Sequence, residues 1–407
     1  MNILYIDHYA GSLSLGMEFR PFYLAREWQR QGHRVLVVAG AYSHLRLKQP
    51  DKIGMQNIDG VEFLILKTLK YKGSGLIRAL SVFQFTLLVW LKSRYFAKRF
   101  CPDVVIASST YPLDNYPAKR IARMASCRYV YEVHDLWPLS PMLIGGYSSR
   151  HPFIRVMQWA ENYAYKHVDK VVSLLWNAES HMREHGLGSR KFVCIPNGYS
   201  PEEWIETKTG DIPREHQKVF DAYKDRLIVG FAGGFVPSGA LHVLIEAASL
   251  LSERTDIHFV LVGRGVEEAN LKSMVEQRGL FNVSFISSVP KSILPAVVAR
   301  FDVAYMGGTH SVLHQFGTSY NKQIDYMLAG KPILQSIDEP NSLIERLQCG
   351  IRVDAENPSA IADAVLKLLD MPLAEREKMG LQGKQYAEQF LQWNTLAQRF
   401  LDAVFDS

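Results

Sequence analysis

Cysteine is scarce and scattered. Cys101, Cys127, Cys194 and Cys349 form no CxxC pair, which argues against a zinc ribbon and a disulfide-stapled secreted domain and suits a reducing compartment. Charge of one sign is also lacking. The net charge is +5 with 21% charged residues, and no basic run is interleaved with aromatics, so nucleic acid is not an expected partner. There is no low-complexity tract. No GxGxxG follows a strand, so the dinucleotide fingerprint is not met. No Asp/His cluster with ligand spacing stands out, so neither a metal nor a cofactor is expected. The start, MNILYIDHYAG, reads as a strand and lacks a signal-peptide pattern, which gives a cytoplasmic expectation.

Long apolar runs are missing too. The longest candidate, ALSVFQFTLLVWL (79–91), is broken by Ser81, Gln84 and Thr86. It falls short of the roughly 20 residues that a membrane span needs, so no transmembrane helix is expected. Lys67, Lys70, Lys72 and Arg78 precede it, and Lys92, Arg94, Lys98 and Arg99 follow. Two readings stay open: a buried helix with a solvated basic edge, or a surface resting on anionic lipid at the inner face of a plasma membrane.

What is present is a folded composition, 47% hydrophobic over 407 residues, enough for two or more cores. Apolar strands alternate with helix-period stretches. A strand at 2–6, a helix over 19–28 stopped by Gly32, and the strand VLVVAG make a βα unit of a parallel sheet. Strands at 61–66, 104–107 and 128–133 follow, with a helix over 115–125 between the last two. After the strand RYVYEV comes HDLWPLSPMLIGGYSSRHP, read as a long loop at a strand's C-terminal end, where open α/β sheets place ligands. Polar residues over 200–224 read as a linker. The alternation then restarts at LIVGFAG (227–233), which predicts a second doubly wound sheet, and the tail is helical.

The most informative stretch is FGTSYNKQIDYMLAGKP (316–332). Thr318 or Ser319 can cap a short helix whose Ile324, Met327 and Leu328 fall at core spacing, and Gly330 and Pro332 end it. Lys322 sits in the first turn, where the helix dipole disfavours a cation. A bound anion shared with the helix N–H groups removes the conflict. So does a pair with Asp325, three residues on.

SYNKQIDYMLAGKP and HDLWP together resemble the retaining glycosyltransferases of the GT-B fold, family 4. They are most similar to the branch containing L-fucosamine-type transferases of bacterial surface polysaccharides. The resemblance covers nearly the whole chain. It implies an α/β fold of two Rossmann-like, doubly wound parallel-sheet domains facing a cleft: an acceptor-binding domain over 1–200 and a nucleotide-sugar domain over 201–388. It also implies a C-terminal helix over 389–407 that returns to the first domain, with Trp393 as an interdomain packing residue. The implied donor is a nucleotide diphosphate sugar, used without metal. The implied acceptor is a saccharide, including one carried on polyprenyl diphosphate, in O-antigen, capsule or exopolysaccharide synthesis.

By resemblance, the donor site takes Gly233, Gly234, Arg264, Ser319, Tyr320, Asn321, Lys322 and Asp325. The acceptor or phosphate loop takes Gly16, Glu18 and Arg20, and His134 and Asp135 are the catalytic candidates, Asp135 orienting His134 or acting as a base. The match has departures. Many relatives carry glutamates where this chain has Gly317 and Asp325, and an Arg and a Lys where it has Gly234 and Ser238. Lys322 is then the one matched cation left for the diphosphate. Two alternatives stay open: another GT-B enzyme such as a sugar-nucleotide epimerase, and a non-catalytic partner in a polysaccharide assembly complex.

Overall fold

The structure is a computed structural model that describes residues 1–73, 75–204 and 212–405. It divides into two compact units, Met1–Asn197 with Trp393–Ser407, and Gly198–Gln392.

The first unit is built on an eight-stranded sheet: β1 (Asn2–Ile6), β2 (Arg34–Gly40), β3 (Gly54–Ile58), β4 (Val61–Leu66), β5 (Val104–Ala107), β6 (Arg128–Val133), β7 (Lys170–Ser173) and β8 (Phe192–Cys194). The spatial order is β3-β4-β2-β1-β5-β6-β7-β8, with every pair parallel except the hairpin β3–β4. Ile3, Leu4, Tyr5 and Ile6 are all fully buried. Such continuous apolar runs are what a parallel sheet covered on both faces requires. Helix α1 (Arg20–Arg30) carries Pro at its start and buries Phe22, Leu24 and Trp28 against the sheet. The Trp28 indole donates to the Ala397 carbonyl at 2.9 Å, and Tyr23 stacks on Trp393. The C-terminal helix Trp393–Phe405 is therefore part of the first unit's core, and Trp393 packs inside that unit.

The second unit holds six parallel strands, β9 (Leu227–Gly234), β10 (Ile257–Arg264), β11 (Val283–Ile286), β12 (Val303–Gly307), β13 (Ile333–Ser336) and β14 (Gly350–Val353), in the order β11-β10-β9-β12-β13-β14. The fold is thus two α/β domains with doubly wound, mainly parallel sheets. Part of the expected linker is structured. Arg214–Ala222 is a helix whose Phe220 enters the second unit's core, and residues 205–211 lie outside the described residues. The expected long loop after β6 contains the helix Leu139–Gly145.

Candidate active site

In each sheet the strand order reverses at one place, and open α/β sheets bind ligands outside the carboxyl ends of the strands there. In the first unit the reversal lies between β1 and β5. Asp7 and His8 follow β1, Ser108 and Ser109 follow β5, and His134 and Asp135 follow β6. Below them, inside β6, Glu132 is fully buried. Its Oε1 accepts from Arg20 Nε at 2.9 Å, and its Oε2 accepts from Ser108 Oγ at 2.6 Å and from the Tyr5 hydroxyl. Burial by itself would raise this carboxyl, yet Arg20, His134 and Ser108 together hold it well below the usual carboxylate range.

His134 Nε2 lies 3.2 Å from Glu132 Oε2 and 2.9 Å from Ser108 Oγ. Glu132 is ionised and Ser108 gives its proton to it, so Nε2 carries the imidazole proton and Nδ1 remains open. Burial disfavours the imidazolium, but the hydrogen bond and charge of Glu132, with Glu18 and Asp7, outweigh it and raise the His134 pKa. The orienting carboxylate is therefore Glu132. Asp135, expected as one possible orienter, accepts instead from the Leu136 N–H at 2.9 Å and from the Ser140 hydroxyl. Asp7 is buried beside the imidazole, and burial pushes its carboxyl up to about 7.

Arg20 is also displaced from its expected place. Beyond Glu132, its guanidinium donates to the carbonyls of Pro196 and Ile195 at 2.7 and 3.0 Å. With its side chain 1% exposed it is a buried clamp, unavailable to a phosphate in this arrangement. Gly16 is held at φ +97° with Leu47 against it, which makes its role that of a tight turn. Glu18 is half-buried and adds negative charge near His134 and Asp7.

In the second unit the reversal lies between β9 and β12. Their ladder ends at Ala304↔Gly230, beyond which the Tyr326 hydroxyl takes the Ala232 N–H at 2.9 Å. Tyr326 belongs to the helix Asn321–Leu328, so this bond fixes that helix to the end of β9. No side chain caps the helix at Tyr320, and Thr318 is engaged elsewhere. Its N–H and hydroxyl both donate to the buried Glu339, at 2.8 and 2.7 Å. Lys322 Nζ lies over the Phe231 ring, 4.6 Å from its centroid, and 3.5 Å from where a Cβ on Gly233 would stand. Burial lowers the Lys322 pKa to about 8. Asp325 is not its partner: neither side chain makes an ion pair or hydrogen bond among the described residues. Burial raises Asp325 to about 6, opposed only by Lys291. Arg264 and Asn321 are exposed, Ser319 and Tyr320 half-buried, and Arg264 pairs in register with Gly234.

Residues 16–198 match the glycosyl transferase 4-like domain, and residues 213–386 match the glycosyl transferases group 1 domain. Both halves of the chain are glycosyltransferase domains. Among similar proteins, the transferase is 22% identical over 318 residues to a protein named as a colanic acid biosynthesis glycosyl transferase, WcaI of Escherichia coli (strain K12), covering 75% of each chain. It is 26% identical over 243 residues to the alpha-D-kanosaminyltransferase of Streptomyces kanamyceticus, covering 56% of this chain and 61% of that one. Among solved structures, Anabaena Alr3699/HepE in complex with UDP superposes with a TM-score of 0.71 at 16% identity, over 100% of both chains. WaaG, a glycosyltransferase involved in lipopolysaccharide biosynthesis, gives 0.64 at 14%, again over 100% of both. The GT-B fold expected from the sequence is the fold of this transferase.

Several residues that shape these two edges escaped the sequence. Glu132 and Tyr326 fall within or beside the segments that carry the resemblance but have no role in the site it implies, and Ser108, Asp7 and Glu339 carry no motif spacing of their own. A group with metal-ligand chemistry also went unnoticed, although HMREH holds its signal of two histidines one helical turn apart. Glu161, His181 and His185 bring ligand atoms within 4.8 Å of one another. The Glu161 oxygens already serve Tyr165, His181 and Gln158.

The glycines at the second edge are testable. A Cβ on Gly263 would stand 1.9 Å from the Gly233 carbonyl oxygen, and its φ of +155° disfavours any side chain. In the transferase, Gly263→Ala is expected to force the ends of β9 and β10 apart and to cost about 1–3 kcal/mol. Urea unfolding measures this.

Proposed function

We propose that this glycosyltransferase moves a sugar from a nucleoside diphosphate sugar to a hydroxyl, with retention of anomeric configuration. We further propose that the acceptor is a saccharide carried on polyprenyl diphosphate, in the assembly of a bacterial surface polysaccharide. One observation carries the donor half. The helix Asn321–Leu328 bears a half-buried ammonium and a half-buried carboxylate three residues apart; neither neutralises the other, and the ammonium meets only the Phe231 ring while the carboxylate feels only the charge of Lys291. Burial without a partner is costly for both charges. A nucleotide sugar satisfies both: its diphosphate takes Lys322, and its hydroxyls donate to Asp325.

The chemistry follows from the leaving group. A nucleoside diphosphate departs when preorganised donors meet its new charge. Those donors are Lys322, the helix start at Tyr320 and Asn321 with Ser319 beside it, and the backbone at Gly233 and Gly234, with Arg264 at the neighbouring strand end. In the first unit, the open Nδ1 of His134 holds a hydroxyl, or a phosphate oxygen when the ring is protonated. UDP and UDP-glucose complexes of HepE support the choice of a nucleotide donor, and WcaI and WaaG, by what they are named for, support the polysaccharide setting.

The test is a thermal-shift panel of UDP, GDP, TDP and CMP, each beside its nucleoside. One diphosphate is expected to stabilise the chain by about 2.7 kcal/mol at a hundred times its Kd, far more than its nucleoside does. If no diphosphate stabilises more than its nucleoside, the donor reading is wrong. Turnover then separates the chemistries. A nucleotide sugar altered without any acceptor marks an epimerase, and one that binds but is never consumed marks a binding partner. The anomer of the product, read by NMR, checks retention.

A further inference from the structure

The first unit leaves a helix face uncovered. Helix α2 (Leu76–Leu91) buries Ser81, Val82, Phe85 and Val89. Its remaining surface is not polar. Leu76 is 76% exposed, Leu80 48%, Phe83 42%, Leu87 56% and Leu91 68%. Their spacing at i, i+4, i+7, i+11 and i+15 puts all five on one stripe. At 1.5 Å per residue the stripe runs about 24 Å. Soluble monomers seldom expose an apolar patch of that extent without a use for it.

The surroundings of the stripe identify what covers it. From Phe63 to Pro102 the chain contains eight Lys or Arg and no Asp or Glu. Lys70, Lys72, Lys92 and Lys98 are exposed, and among the described residues none of the eight pairs with a carboxylate. A second copy of this chain docking face to face would bring like charges together. An anionic bilayer removes both problems at once. The apolar stripe enters the headgroup boundary while the cations meet lipid phosphates. No single helix among the described residues is long and apolar enough to cross a membrane. The pair Leu76–Leu91 and Ser93–Phe100 reaches that length and composition only together and is bent by 42°. Its second segment buries Ser93, Phe96, Ala97 and Phe100 inside the unit, which favours a contact in the plane of the interface.

We propose that α2 is a membrane-docking element that rests on an anionic lipid surface. The inference stands independently of the donor reading above. It also has a consequence for the first unit. On its buried side, Phe85 of α2 stacks on the His8 ring, centroids 4.5 Å apart, and His8 adjoins Asp7 at the end of β1. A lipid-borne acceptor would thus be delivered beside the polar edge that holds Asp7 and His134.

The experiment is co-sedimentation of the purified full chain with vesicles of phosphatidylcholine, with and without phosphatidylglycerol. Wild type is expected to sediment with the anionic vesicles at low salt, to bind neutral ones at least tenfold more weakly, and to be released by raised salt. The triple variant Leu80→Gln, Phe83→Gln, Leu87→Gln is expected to lose at least tenfold in partition. Its unchanged thermal shift with the preferred nucleoside diphosphate, or an unchanged circular-dichroism melt, shows that it folds. Wild type remaining in the supernatant at low salt overturns the proposal, as does a triple variant that binds like wild type. If wild type ignores lipid but self-associates, and the triple variant is monomeric, the face is an interface between copies and the proposal fails.

Discussion

Arg20→Met is expected to cost about 3–5 kcal/mol of stability at neutral pH, the largest loss foreseen for any single change. Glu132 is fully buried and ionised, and Arg20 is the cation bonded to it. Removing one partner of a buried pair leaves the other charge uncompensated. The carbonyls of Ile195 and Pro196 lose their donors as well. The pH dependence identifies the cause. The folded pKa of Glu132 lies below its unfolded value, so its stabilising contribution is present above the unfolded pKa and is lost as pH falls through the folded one. Without Arg20 the folded pKa climbs. The deficit is then largest near neutrality and shrinks in acid, where Glu132 takes up a proton. The double change Arg20→Met with Glu132→Gln is expected to recover part of the loss, because it removes the stranded charge. Urea unfolding of both variants and the wild type at several pH values measures these effects. A deficit that is flat with pH would assign the loss to packing against Trp393, which the guanidinium faces at 5.8 Å.

This clamp also shows why part of the site was not legible in the sequence. Arg20 and Glu132 are 112 positions apart and meet only because the sheet order brings β6 within two strands of β1, the strand that leads into α1. No local spacing announces such a pair. The strands, by contrast, were legible wherever burial on both faces makes them continuous apolar runs, as in β1, β2, β5 and β9. The two missed strands are edges: β3, GMQNI, alternates exposed and half-exposed positions, and β14, GIRV, is half-buried throughout. The helix Arg214–Ala222 read as linker because only His216 and Phe220 in it are buried. Lys322 was legible because a cation in a helix's first turn contradicts the dipole, and that contradiction is visible without a fold. Its resolution was not. Pairing with Asp325 fitted the sequence equally well, and only the structure, where Lys322 turns over Phe231, removes it.

That unpaired state makes opposite predictions for stability and for binding, which separates a functional lysine from a structural one. Burial lowers the Lys322 pKa from 10.5 to about 8. The unfolded chain therefore binds more protons between those values, so the penalty for holding the ammonium is full below pH 8 and is relieved as pH rises toward 10.5. Every tenfold loss of proton affinity on folding corresponds to about 1.4 kcal/mol, and partial exposure of the side chain lets solvent screen much of that penalty. Lys322→Met is accordingly expected to raise the stability of the ligand-free chain at pH 7 by about 1–2 kcal/mol. The same change is expected to weaken the nucleoside diphosphate by about 30- to 100-fold, the worth of a charge-assisted bond to phosphate, while leaving the nucleoside within a few fold. Binding in the wild type should be flat below pH 8 and weaken above it, since the free ammonium is lost there and the phosphate-bound one is not. Calorimetry with the diphosphate and the nucleoside at pH 7 and pH 9, beside ligand-free melts of both proteins, reads each of these effects. A variant that is less stable, and loses diphosphate and nucleoside equally, would make Lys322 a packing residue and remove the anion site from the helix it starts.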